Sequence, residues 1–137
     1  GEISPEAKKL IEVTRQSFFE GIKYAKAGNH LNDISSAIQA YAEKFGFGVV
    51  RDLVGHGIGT EMHEDPEVPN FGRAGHGPRL VEGMTIAIEP MINLKGDAVK
   101  VMPDGWTTKT VSGSVAAHFE HSIAITSNGP VILTKRK

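Results

Sequence analysis

Residues 84–91 read MTIAIEPM, and the fold turns on how this stretch alternates. Met84, Ile86 and Ile88 share one face of an extended chain, while Thr85, Ala87 and Glu89 share the other, which is the side-chain period of a β-strand. HFEHSIAIT, residues 118–126, repeats the arrangement. Phe119, Ile123 and Ile125 lie on one face, and Glu120, Ser122 and Ala124 on the other. Each strand therefore carries a bulky apolar face for a core and a small-residue face with one carboxylate. Small neighbours leave room beside Glu89 and Glu120, and a buried carboxylate without a partner is costly, so a cation is the expected occupant. The open alternative at this point is a wetted sheet face with both glutamates in solvent.

Outward from these strands, the N-terminal part reads as two helices. Ser4 is a plausible N-cap with Pro5 in the first turn, and Ala7, Leu10, Ile11, Phe18, Ile22 and Ala25 form a stripe that runs to Gly28. A second helix starts near Asn29 or Asn32, with Ile34, Ala37, Ile38, Tyr41 and Phe45 as its apolar face and Gly46 as its stop. After Gly48 the pattern turns to β. VVRDLVGHGIG is a short strand entering glycine-rich backbone, and NFGRAGHGPRLVEG is loop. VKVMPDGWTTKT is a hairpin turning at Pro103, Asp104 and Gly105, and a last strand follows Asn128 and Gly129. Two helices followed by a run of strands predict an α+β fold with an antiparallel sheet covered on one face.

Composition narrows the function classes. The chain has 137 residues, 39% of them apolar and 23% charged, which suits one soluble globular domain. Fifteen basic and 16 acidic side chains give a net charge of -1, so there is no electrostatic footprint for nucleic acid or an anionic membrane. No apolar run reaches the length of a membrane span, and GEISPEAKK has no signal-peptide pattern. The absence of cysteine excludes disulfides, thiolate metal sites and cysteine nucleophiles, and is compatible with a reducing cytoplasm. The opening GEISPEAKK, without an initiator methionine, suggests a piece of something longer.

VGHGIGTEMHEDPEVPN, residues 54–70, sets His56 and His63 seven residues apart, with Gly55, Gly57 and Gly59 around the first. The segment lacks the last glycine of G-x-G-x-x-G, matches no phosphate-binding P-loop, and is not H-E-x-x-H, whose helix Pro66 would interrupt. One imidazole and two carboxylates, His56 with Glu89 and Glu120, form a recognisable ligand set for Zn, Mn, Fe or Co. His63 need not bind metal and is suited to donate a hydrogen bond to a substrate carbonyl. His30 reads as a solvent-facing residue at a helix start and His76 as a loop residue. His121 shares the packed Phe119 face, and His118 shares the Glu120 face.

GHGIGTEMHEDPEVPNFG, GMTIAIEPM and HFEHSIAIT, in this order and spacing, resemble type I methionine aminopeptidases, and GEISPEAKKLIEVT and FGFGVVRD extend the likeness over essentially the whole chain. The resemblance implies the pita-bread fold, here its C-terminal half across residues 1–137, with two helices covering a curved antiparallel sheet. It implies metal-dependent removal of the N-terminal methionine from nascent proteins in the cytoplasm. By resemblance His56, Glu89 and Glu120 are metal ligands, Glu120 bridges two metals, and Glu89 helps to activate the attacking water. His63 corresponds to the histidine that contacts the substrate near the scissile peptide, and Met62 and Trp106 to residues lining the methionine pocket.

The likeness also has departures. The family's two further metal-binding aspartates and an additional catalytic histidine belong to a preceding half that nothing here matches. The chain therefore resembles an incomplete enzyme, with at most one divalent ion well held of the two in a complete site. Its expected partners are peptide N-termini, and either the missing N-terminal half or a second copy. Met62 stands where the family often has an aromatic residue, and Ala116 where a serine can occur near a monovalent-cation loop. The rival expectation is a metal-free peptide- or protein-binding module of the same fold, against which the retention of His56, His63, Glu89 and Glu120 argues.

Overall fold

The computed structural model describes residues 5–49, 55–57, 64–93, 99–101, 108–110 and 116–134; of 55–57, 64–67, 93, 99–101, 108–110 and 116 it describes the backbone alone. Helix α1 spans Pro5–Ile22 and α2 spans Leu31–Lys44. The expected N-cap Ser4 lies outside the described residues. Helix α1 stops six residues short of the expected Gly28. The chain leaves the helix there because the backbone of 28–31 is claimed by a distant loop: Gly28 N–H donates to Leu80 O, Leu80 N–H to Asn29 O, and Leu31 N–H to Pro78 O. Ala25 is still buried in the core, but from a turn.

The buried side of α1 is Leu10, Val13, Thr14, Ser17, Phe18 and Gly21, whereas Ile11, expected on the core stripe, is 51% exposed. Two hydroxyls on this buried side are satisfied by the helix itself: Thr14 Oγ1 donates to Leu10 O at 2.7 Å and Ser17 Oγ to Thr14 O at 2.6 Å. Helix α2 is entered through His30 in extended backbone, whose N–H donates to the Asp33 carboxylate at 2.8 Å. It ends at Gly46 with φ 79°, where Gly46 N–H bonds Glu43 O and Phe47 N–H bonds Ala42 O, the paired closure that a left-handed glycine permits.

Among the described residues ten strands follow: β1 Gly48–Val49, β2 Gly55–Gly57, β3 Glu64–Val68, β4 Thr85–Ile88, β5 Met91–Asn93, β6 Val99–Val101, β7 Thr108–Thr110, β8 Ala116–His118, β9 His121–Thr126 and β10 Gly129–Ile132. Every pairing among them is antiparallel. The strands form a five-stranded sheet ordered β10-β9-β4-β2-β3, a three-stranded sheet β1-β5-β8, and the two-stranded β6-β7. The β6-β7 pair agrees with the expected hairpin, whose turn at Pro103–Gly105 lies outside the described residues. The histidine segment, expected as a short strand entering glycine-rich backbone, has described strands at both ends: β2 and β3 pair, with an irregularity between His56 and Gly57. Among the described strands β3 is the edge of its sheet, a position where the missing N–H of Pro66 is tolerated.

Each of the two diagnostic strands is split in two. Within β4-β9, Ile88 faces His121; within β5-β8, Met91 faces His118. Since 88 + 121 and 91 + 118 both equal 209, one register runs through both sheets, interrupted only at Glu89–Pro90 opposite Phe119–Glu120. The two sheets are thus joined by one bent pair of chain segments, which is the expected curved antiparallel sheet. Proline has no N–H to offer at the bend, but Phe119 N–H still reaches Pro90 O at 3.0 Å.

The helices cover the face that carries Ile86, Ile88, Ile123 and Ile125, all buried, and join them to Phe18, Leu31, Ile34 and Ile38 in the main core. A second cluster of Leu10, Ala42, Val49 and Ile92 continues that layer past the bend. Phe18 is its hinge piece, in edge or tilted contact with Phe19, Phe119 and His121 at 5.1, 5.3 and 5.4 Å between ring centres. Among the described residues no helix is long and apolar enough to cross a membrane.

Candidate metal centre

The face opposite the helices is built from small residues, and the register arranges what remains on it. In the antiparallel pairings His56 stands opposite Ala87, and Ala87 opposite Ser122. Directly opposed residues point to the same side of a sheet, and so do residues two apart on one strand. Glu89, two beyond Ala87, therefore lies on the His56 side as its diagonal neighbour. Continuing the common register places Glu89 opposite Glu120, on the last step before each strand bends. The register thus sets the backbone of His56, in β2, and that of Glu89 and Glu120, one residue beyond β4 and β9, at neighbouring positions.

Like charges directly opposed across strands repel, and a cation between them reverses the sign of that term. The Glu89 side chain is half-buried and Glu120 is exposed at the bend. An imidazole and two carboxylates are the donor chemistry of a borderline divalent ion, and diagonal neighbours on a sheet lie within reach of long side chains. The backbone arrangement fits such a group. Among the described residues no group of three or more histidine, aspartate or glutamate side chains is placed to hold a metal, and the His56 side chain lies outside them. His63, Met62 and Trp106 lie outside the described residues, and of His56 and Ala116 the backbone is described.

The remaining histidines have structural partners or stand apart. His121 packs between Phe18 and Phe119, and its Nδ1 lies 2.7 Å from Thr134 Oγ1. His30 is not simply in solvent: its Nδ1 is 2.8 Å from Gly77 O, and because a carbonyl only accepts, that nitrogen carries the proton. His76 is exposed. His118 is exposed on the Glu120 face, opposite Met91.

One residue of the site was not legible in the sequence. Asn70 is fully buried, and its Nδ2 donates to the main-chain carbonyl of Glu89 at 2.9 Å. In the sequence it follows Pro69 and precedes Phe71–Gly72, a context that reads as loop punctuation.

Comparison with known proteins shows the family. The model of metallopeptidase family M24 matches residues 1–127. The chain belongs to that family. This M24 chain is 61% identical over 134 residues to a methionine aminopeptidase of Clostridium acetobutylicum, covering 98% of itself and 54% of that protein. It is 52% identical over 135 residues to methionine aminopeptidase 1 of Bacillus subtilis, again covering 54% of the relative. It superposes on the crystal structure of methionine aminopeptidase from Thermotoga maritima with a TM-score of 0.96 at 51% identity, covering 99% of this chain and 55% of that one. The prolidase of Pyrococcus horikoshii shares the fold more distantly, with a TM-score of 0.75 at 26% identity over 34% of its length. The pita-bread fold expected from the resemblance is the fold observed. The chain spans about half the length of the curated relatives it matches.

Proposed function

We propose that this chain forms the C-terminal part, residues 1–137, of the catalytic domain of a metal-dependent methionine aminopeptidase acting on the N-termini of nascent proteins in the cytoplasm. The observation that carries the reading is the common register that sets Glu89 opposite Glu120, with His56 diagonal to Glu89. His56, Glu89 and Glu120 would hold a divalent ion of the Co, Mn, Fe or Zn class. In a complete site Glu120 would be shared with a second ion, whose other ligands come from outside this chain. The partner is therefore the other half of the enzyme or, in its absence, a second copy covering the same face. A metal-free binding module would leave two opposed carboxylates and a histidine gathered without a use.

When bound by His56, Glu89 and Glu120, a divalent ion would supply Lewis acidity to water and to the peptide carbonyl. Glu89 would accept the proton released as water attacks the carbonyl carbon of the first residue, and would return it to the amine nitrogen of the second residue as the C–N bond breaks. His63 donates a hydrogen bond to the carbonyl oxygen as it gains charge. Met62 and Trp106 line the pocket for the methionine side chain and hold the scissile bond in place.

Calorimetric titration with Mn(II) tests the ligand assignment on the chain itself. One weak site is expected, lost in His56→Ala and unchanged in His63→Ala. In the enzyme with both halves present, His63→Ala should lower the cleavage rate of a Met-initiated peptide by about 10²–10³ with its metal content intact. Two tight sites on a monomer, or equal metal loss in the two variants, would overturn the assignment.

A further inference from the structure

The bend at Glu89–Pro90 poses a backbone problem. Glu89 is the first residue beyond the last β4 pair, and Pro90 after it has no N–H. Its main-chain carbonyl is met by Asn70 Nδ2 at 2.9 Å, from a side chain with no exposed surface. That contact also fixes the amide orientation, since only the nitrogen can donate. The other end, Asn70 Oδ1, is buried with no hydrogen-bond partner.

A buried amide with an unmet acceptor is a poor choice for packing alone, because an apolar residue of the same size would avoid the desolvation cost. The position of Asn70 indicates what the amide is for. It lies two residues past Val68, the core-facing end of β3, and β3 pairs with β2 through Glu67 opposite His56. The hairpin that carries His56 therefore also carries Asn70, and Asn70 reaches across to Glu89. One hydrogen bond ties the histidine hairpin to the strand that bears the first glutamate.

We propose that Asn70 is a positioning residue: by holding the Glu89 main-chain carbonyl at the strand bend, it fixes the placement of the Glu89 carboxylate relative to His56 for a divalent metal ion. The inference rests on the reading of His56, Glu89 and Glu120 as a ligand set. Three constraints act on Glu89 together. They are the β4 register on one side, the extended backbone that a following proline enforces, and the Asn70 bond at the carbonyl between them.

The test is Asn70→Leu, which keeps the volume and removes the donor, measured by Mn(II) calorimetry and by the visible spectrum of the Co(II)-loaded chain. With the far-UV circular dichroism unchanged, Mn(II) affinity should fall about 10-fold, and the Co(II) bands should shift as the ligand geometry relaxes. A folded Asn70→Leu chain with native affinity and a native Co(II) spectrum would overturn the proposal. Glu89→Gln, run beside it, separates the two levels. If Glu89→Gln binds Mn(II) as the parent chain does, the ligand reading itself fails and Asn70 falls with it. If Glu89→Gln loses affinity while Asn70→Leu does not, only the role of Asn70 is lost. Should Asn70→Leu fail to fold, the side-chain amide resonances of Asn70 in the unmodified chain decide during a Zn(II) titration. Movement in step with binding supports the proposal, and resonances that stay fixed at saturation overturn it.

Discussion

Replacing Phe18 by leucine should destabilise the chain by an amount that can be worked out from its contacts. Phe18 has no exposed surface, so leucine retains most of the buried apolar area and loses chiefly the ring contacts. Its ring meets Phe19 at 5.1 Å and 89°, and Phe119 at 5.3 Å and 62°, both edge-on arrangements. Such pairs contribute roughly 0.5–1.5 kcal/mol each beyond area, so two of them give an expected loss of about 1–3 kcal/mol. The tilted contact with His121 at 5.4 Å adds to the same end of the range. Phe18→Ala adds a cavity that rigid β neighbours cannot fill, for a total of about 3–5 kcal/mol. Equilibrium urea denaturation at fixed pH measures both. A cycle with Phe119→Leu should show coupling of about 0.5–1.5 kcal/mol between the two rings. Because Phe119 and His121 flank Glu120, Phe18→Ala should also weaken Mn(II) binding while the chain is still folded. A Phe18→Leu loss below about 0.5 kcal/mol would refute the ring-contact argument. A Phe18→Ala loss no larger than that of Phe18→Leu would refute the cavity argument.

Asp33 accepts from Gly75 N–H at 2.7 Å and His30 N–H at 2.8 Å, and the Gly75 bond first, with that of His30, holds its carboxyl below the ordinary value of 3.8. A depressed carboxyl stabilises the fold fully above its unfolded value, and that contribution is lost as pH falls through the folded one, so melting temperatures below pH ~4 should fall more steeply in the parent chain than in Asp33→Asn; parallel curves would contradict this. Gly77 has φ 84°, and a Cβ there would stand 3.0 Å from Asn32 Oδ1, whereas Gly28 has φ 95° with nothing near. Gly28→Ala should therefore cost about 1–2 kcal/mol from backbone strain alone, and Gly77→Ala measurably more in the same denaturation assay; equal costs would remove the steric part of the argument.

The helices and the faces of the strands could be read from the sequence because their causes are local. The alternation in MTIAIEPM and HFEHSIAIT follows from a two-residue period, and the packed face it indicates for Ile86, Ile88, Ile123 and Ile125 is the buried one. The same period identified the glutamate-bearing faces before any partner strand was known. The errors came where distant backbone intervened. The apolar stripe alone carries the first helix to Gly28, but loop 78–80 takes up the backbone of 28–31. The strand expected in VVRDLVGHGIG is present as β2, but its partners β3 and β4 follow from no local pattern.

On its own, the sequence determined which residues could serve as metal donors, His56, Glu89 and Glu120, and which face each glutamate takes, because side-chain chemistry and strand period are properties of a few adjacent residues. The tertiary structure alone decided that 89 stands opposite 120 and that Asn70, 19 residues before Glu89, closes onto its carbonyl. Register and the pairing of buried polar groups depend on long-range hydrogen bonds, and these are chosen by the whole sheet as it packs beneath the helices rather than by any segment within it.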